Sequence, residues 1–386
     1  MVAAFSTISR TGIPFPKSEY ELRQRKVFEA MARAELDALM VTALGHLRYL
    51  TGYDGRGVYF APFPLILVPG RVPTYVVREY EVQAVCANSC IDEIVPYTQE
   101  HDFANVCANV LKSYGLQRRR IGLELGCWNL APADVNALQA QLPDLTIVDA
   151  TRVVASVAAV KSKLELEVMR DAMAMTDLAI RTFQEALRDG ITEVEMGATI
   201  EAEVRKAGGE VRPNYTLVFG DRTKLPHGGA MDHPIRKNEP AMAEIGAAKH
   251  GYIAGLVRSA VLGQHPETES IHDLAVEALE AAVAAIKPGL TAAAVDAASR
   301  GVIERSGRLQ VFRHRTGYQS GIHWSERGSL SLEPGVDDLL QVDMTLHMPI
   351  ILFSESGYLF GSSEHVVVTE HGVEILSHTP HTLYRA

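Results

Sequence analysis

After residue 161 the order of the chain's segments restricts the fold more than any single motif does. Two helical stretches come first, LELEVMRDAMAMTDLAIRTFQEALRDG and TEVEMGATIEAEVRKAGG, and strand-like YTLVFG, PAMAEIGAA and YIAGLVRSAVLG follow. Two further helices are expected near 267–286 and 292–306, parted by KPGLT, and then strands near 342–352 and 363–377. Helices set apart from a mainly antiparallel sheet make this region α+β. The repeated order, helices then strands, hints at an internal duplication, although the two halves share no obvious residues. Boundary signals agree with the pattern: Asp189-Gly190 stops the first helix, and Thr192 with Glu195 three residues on is a capping box.

The preceding sequence has a different rhythm. Residues 1–17 read as an arm rich in Ser, Gly and Pro. A helix capped by Ser18 and running from Glu19 to Leu36 opens a region where short strands (ALMVT, PLILVP, PTYVVRE, RIGLEL, LTIVDAT) alternate with helices. LRYLTGYDG reads there as a turn. This predicts a smaller α/β domain over 18–151 ahead of the α+β domain at 161–386, two domains being the ordinary expectation for 386 residues.

With 37 Lys+Arg against 47 Asp+Glu the net charge is −10, which argues against nucleic acid or an anionic membrane surface as partner. No apolar run approaches the ~20 residues of a membrane helix, and no signal-peptide pattern opens the sequence. Cys86, Cys90, Cys107 and Cys127 sit in apolar surroundings and read as free buried thiols. A cytoplasmic protein with a small-molecule substrate is the expectation.

Between Gly317 and Glu364 the residues turn unusually chemical: Tyr318, His323, Trp324, Glu326, His347 and Glu364 lie among glycines and short β-prone runs. Upstream, LPHGG (225–229) and EIGAAKHGYIAGLVRS (244–259) supply His227, Glu244 and Arg258 to the same candidate pocket. Glu244 interrupts an apolar strand, where an unpaired carboxylate is costly; the alternative is an edge position facing solvent. His227 stands between a proline and two glycines, so its imidazole projects from a turn.

Taken in register, KSKLELEVMRDA, LPHGG, the EIG…GY…VRS…LG block, KPGLT, HRTGY…G and SEHVVVTEHGVEIL resemble the creatinase/aminopeptidase superfamily over most of 161–378. YLTGYDG fits its N-terminal domain. The resemblance implies a pita-bread catalytic domain behind a creatinase-type α/β domain. Metallopeptidases of that superfamily bind two metal ions through two Asp, one His and two Glu. Carried over by position, those places hold Glu244, Gly255, Tyr318, His347 and Glu364 in this chain. A glycine and a phenol are poor replacements, so the resemblance points to the metal-free branch, without cofactor. There it is most similar to ectoine hydrolase, through Glu244, Gly317-Tyr318, Trp324-Ser325-Glu326, Met344-Thr345-Leu346-His347 and Ser363-Glu364.

The function this implies is metal-independent hydrolysis of a non-peptide C–N bond in a small amidine or cyclic amide. Glu244 would be nucleophile or base, His227 and His347 would move protons, and Glu364 would be a second catalytic carboxylate. Tyr318, Trp324, Glu326, Arg258 and His314 would line the substrate site. Tyr53, Asp54 and Arg56, from an aromatic-rich loop, would close the site of a partner in a homodimer. The bland alternatives are core packing for Tyr318, Trp324, His314 and His347, and the N-terminal domain's own core for the loop aromatics. Rival functions are creatinase-like cleavage of a linear guanidino acid, a silent binding protein of the same fold, and an Xaa-Pro aminopeptidase-like protein.

Overall fold

The computed structural model describes residues 12–55, 63–98 and 103–386, which fall into two compact units: residues 1–158 with 325–329, and residues 159–324 with 330–386. Each is described by itself.

The first unit is built on a six-stranded mixed sheet. Its strands are β1 (Ala38–Val41), β2 (Leu65–Leu67), β3 (Thr74–Arg78), β4 (Glu93–Tyr97), β5 (Arg120–Leu123) and β6 (Thr146–Asp149). They lie in the order β4-β3-β2-β1-β5-β6, with β2 antiparallel to both neighbours and the other pairs parallel. Apolar runs with no alternation, such as Ala38–Val41 and Leu65–Leu67, are buried throughout, as a sheet covered on both faces requires. Helices α1 (Lys17–Arg33), α2 (Leu44–Thr51), α3 (Val82–Asn88), α4 (Phe103–Ser113), α5 (Pro132–Gln141) and α6 (Thr151–Ala159) accompany it.

Two local expectations are corrected, and one helix is added. The first helix begins at Lys17 behind Pro16, with no side-chain cap from Ser18, because a proline with φ fixed near the helical value starts the turn unaided. LRYLTGYDG is not a plain turn: LGHLRYLT is α2, ended by Gly52 in the left-handed region (φ 83). TRVVASVAA, which falls between the two expected domains, forms α6.

The second unit holds α7 (Lys163–Ala186), α8 (Glu193–Lys206), β7 (Glu210–Val211), β8 (Thr216–Phe219), β9 (Glu239–Lys249) and β10 (Tyr252–Leu262). The same order then repeats with α9 (Pro266–Ala285), α10 (Ala292–Arg305), β11 (Gly317–Gln319), β12 (Ser331–Leu332), β13 (Thr345–Phe353), β14 (Leu359–Thr369) and β15 (Gly372–Ile375), and β16 (Tyr384–Arg385) closes the chain. Two five-stranded sheets result. One pairs β16-β10-β9-β7 with β8 also on β9, and the other runs β12-β11-β13-β14-β15. Ser162 and Thr192 cap α7 and α8 with complete capping boxes to Glu165 and Glu195.

Alternation along the strands sorts each sheet into two faces. Leu346, Met348, Ile350 and Leu352 of β13, with Phe360, Val366 and Val368 of β14, join the apolar residues of α9 and α10 in one core. On the opposite faces, Val218, Met242, Val257 and Leu359 form a smaller cluster where the sheets meet. The Ser259 hydroxyl donates to the Gly361 carbonyl (2.6 Å) and the Val257 N–H to Ser363 Oγ (2.6 Å), tying β10 to β14. This junction of the inner faces positions the site.

Candidate functional site

Thr216, Glu244 and Val257 are register partners across β8, β9 and β10, so their side chains share the inner face. Beyond that row the junction opens into a cleft of about 140 Å³ lined by Arg212, Asn214, Tyr215, Thr216, His227, Glu244, Gly246, Tyr318 and Trp324. All nine belong to the second unit. His227 stands at the exposed rim in the left-handed region (φ 53), held by the Leu225–Gly228 turn.

Glu244 is the one carboxylate in this lining, and among the described residues its side chain has no hydrogen-bond or ion-pair partner. Burial pushes its pKa up, with His227 and then Arg212 opposing that shift. A carboxyl raised in this way holds a proton more readily than an ion-paired one, which suits it to general acid–base work.

Trp324 forms the wall beside it. His323 (φ 54) and Trp324 (φ 72) are consecutive non-glycine residues in the left-handed region, a costly arrangement for a bulky side chain. Several contacts hold it. The His323 N–H donates to the Gly251 carbonyl (3.0 Å), and the Gly321 N–H donates to that of Trp324 (3.2 Å). The indole lies directly on Gly246 and Gly255, where an added Cβ would fall inside the ring's van der Waals surface.

The indole also sets the protonation states behind it. Its N–H can only donate, so the Tyr318 oxygen accepts (2.6 Å) and the phenol's own proton points to His347 Nδ1 (3.0 Å). His347 is therefore the neutral tautomer protonated at Nε2, which donates to Ser363 Oγ (3.0 Å). His365 repeats the logic: Nδ1 accepts from the Gly255 N–H (3.1 Å), leaving Nε2–H for Ser320 Oγ (2.6 Å). Burial holds His347 well below the usual imidazole range and takes His365 to about 3. The two rings stack, with centroids 5.8 Å apart.

The remaining expected site residues lie elsewhere. Glu364 alternates with Ser363 and His365 along β14, so it points to the opposite face. There it accepts from Arg258 (3.1 Å) and is bonded to Ser377 and His381. The residue of that pair that faces His347 is Ser363. Arg258 spends its guanidinium on the carbonyls of Val257, Ser363 and Thr379 and on Glu364, with none of it in the cleft lining. His314 turns its two ring nitrogens to the carbonyls of Arg315 and Ile351 (2.7 and 3.0 Å). Because burial lowers its pKa, only one of these contacts carries a proton at neutral pH. In the first unit, Glu326 accepts from the Gly45 N–H (2.7 Å), Tyr53 donates to Glu81 (3.2 Å) and Asp54 accepts from Arg48 (2.6 Å). Arg56 lies outside the described residues. Sequence reasoning missed Arg212, Asn214, Tyr215 and Thr216. The signal available was RPNYT just ahead of a strand that pairs with the Glu244 strand.

These positions do not suit a pair of divalent cations, which needs several carboxylates to offset its charge. Gly255 has no side chain, Tyr318 and His347 are bonded to each other, and the residue facing in from β14 is a serine. The indole fills the space that a carboxylate at 255 would need. Among the described residues no group of three or more His, Cys, Asp or Glu is placed to hold a metal ion.

The sequence matches the family profile "Metallopeptidase family M24" over residues 167–375 and "Creatinase/Prolidase N-terminal domain" over 23–160. It is 30% identical over 384 residues to "Uncharacterized hydrolase/peptidase y4tL" of Sinorhizobium fredii, covering 96% of this chain and 97% of that one. With "Uncharacterized peptidase YqhT" of Bacillus subtilis it shares 25% over 373 residues, 94% and 99% of the two chains. In fold it is similar to the Xaa-Pro dipeptidase from Bacillus anthracis, with a TM-score of 0.81 at 22% identity over 95% of this chain and 100% of that one. These findings correct the expectation of an amidine or cyclic-amide hydrolase acting on non-peptide C–N bonds. The activities that the relatives' names carry are peptidase activities.

Proposed function

The chain belongs to metallopeptidase family M24, and we propose that it is a hydrolase of short peptides whose working carboxylate is Glu244. The observation that carries this reading is a single unpaired carboxyl, raised by burial, facing a cleft it shares with His227 and Arg212. The cleft's size suits the end of a short peptide and not a folded protein.

In this reading water attacks the peptide carbonyl carbon while Glu244 removes its proton. The C–N bond of the tetrahedral adduct then breaks, and the proton returns to the leaving nitrogen, from Glu244 or from His227 at the rim. His347 cannot serve as that donor: its Nε2–H is spent on Ser363 and its Nδ1 is occupied by Tyr318. No step is assigned to a metal pair, because the five positions that would hold one do not fit it.

A second reading, a peptide-binding protein without turnover, is favoured by the indole that occupies the ground beside Gly255. Incubating the purified protein with a panel of dipeptides, Xaa-Pro members first, and following free amino acids by mass spectrometry separates the two. Release of amino acids by wild type but not by Glu244→Gln supports the hydrolase. Saturable binding with no release supports the silent reading. We also propose a homodimer, and a monomer by light scattering at working concentration would remove that part.

A further inference from the structure

The cleft that holds Glu244 also carries a cation with no hydrogen-bonded partner: Arg212, whose charge reaches Glu244 only through space. Arg212 follows β7, and its N–H donates to the Gly246 carbonyl (2.8 Å), so the residue is fixed at the cleft. Its guanidinium lies over the Trp324 indole, 4.9 Å from the ring centre. Among the described residues that guanidinium has no hydrogen bond and no ion pair. Several other shielded arginines are ion-paired, among them Arg23 with Glu19, Arg222 with Glu193, Arg258 with Glu364 and Arg300 with Asp296, while Arg315 lies over Tyr318 and donates to Ser331. Arg212 is held by an aromatic face in place of an ion pair. Stacking leaves the in-plane N–H fork open, and that fork matches the geometry of a carboxylate.

The shelf beneath it is rigid. Trp324 keeps a strained backbone, with the indole N–H bonded to Tyr318 (2.6 Å) and the ring seated on two glycines. Observed strain at a cleft wall points to a role that the rest of the structure enforces. We propose that Arg212, laid on the Trp324 indole, anchors a carboxylate of the substrate and selects small molecules with a free carboxylate end. This rests on the reading of the cleft as the substrate site and names the substrate class more closely: peptides with an unblocked C-terminus next to the scissile bond. Arg212 sets specificity, and Trp324 is a positioning residue acting through it.

The test uses uncleavable probes, so that binding is read apart from turnover. Calorimetry on the full-length protein compares the ketomethylene isostere of alanylproline with its C-terminal amide. The inference expects wild type to bind the free acid about tenfold or more tighter, the weight of a charge-assisted contact. Arg212→Gln should lose that preference while keeping its affinity for the amide, and Arg212→Lys should keep part of it. Trp324→Phe, which retains a ring face but not the bond to Tyr318, should narrow the preference without abolishing it. Equal binding of acid and amide by wild type would overturn the inference. So would an Arg212→Gln variant that weakens both probes alike. Acid preference without cleavage of any dipeptide would leave the inference standing and remove the hydrolase reading, and cleavage without acid preference would do the reverse.

Discussion

Glu244 pulls activity and stability in opposite directions. Its folded pKa is raised, so the folded chain gives up stability as pH rises through that value, a loss that is absent below its unfolded value of about 4.3. Glu244→Gln should therefore be more resistant to urea than wild type at pH 7, and the difference should vanish near pH 4. The same change should lower peptide turnover by ~10²–10⁴-fold. A variant that loses turnover because it unfolds would be less stable, and comparing urea midpoints across pH tells the two apart. Gly255 offers a second residue-level test. Any side chain there meets the Trp324 ring, so Gly255→Ala should cost ~1–3 kcal/mol by overpacking. In a Trp324→Ala background the ring is gone and Gly255→Ala should be close to neutral. Additive costs in that double-mutant cycle would show that the indole does not sit on Gly255.

Among the elements, β14 shows both how far the sequence could be read and where it stopped. SEHVVVTEHG announces a strand, and the strand is there. The resemblance, carried over by position, put Glu364 at the inward-facing ligand place on this strand. The pleat gives that place to Ser363 and turns Glu364 toward Arg258 and His381, since a one-residue step reverses the face. Two neighbouring polar residues on a fully buried strand carry no sign of which points where. Only the pairing register with β13 decides it. Arg212 was illegible for a related reason: its role comes from a ring more than a hundred positions away in sequence. Helix starts were easier, because a capping box is local. Thr192→Ala should cost ~1 kcal/mol through loss of the bond to the Glu195 N–H (3.2 Å), read from the urea midpoint.

The buried histidines of β13 and β14 set a pH dependence at the same scale. His365 has a folded value of about 3 against about 6.5 unfolded. The unfolded chain therefore takes up a proton that the folded chain refuses, and stability falls as pH drops from 6.5 toward 3. The slope is on the order of 1.4 kcal/mol per pH unit for each such ring. His347, also lowered, acts in the same sense. His365→Asn should flatten the acid limb of stability against pH, and an unchanged limb would contradict the neutral assignment.

For the whole molecule, the expectation of α+β with a smaller α/β domain in front holds, because segment order is a property of the chain and not of distant contacts. The site needed three dimensions. The five family positions could be counted in the sequence, but the indole seated on one of them, Gly255, could not. The account's central claim is that Glu244 works in peptide hydrolysis where the family's metal positions have been given over to an aromatic and imidazole cluster. One measurement addresses it directly: dipeptide turnover by wild type and Glu244→Gln, with metal content determined on the same samples before and after chelation. The account predicts turnover in wild type that survives chelation, loss of it in the variant, and well under one equivalent of transition metal per chain. Two equivalents of bound metal, with turnover that disappears when they are removed, would contradict it.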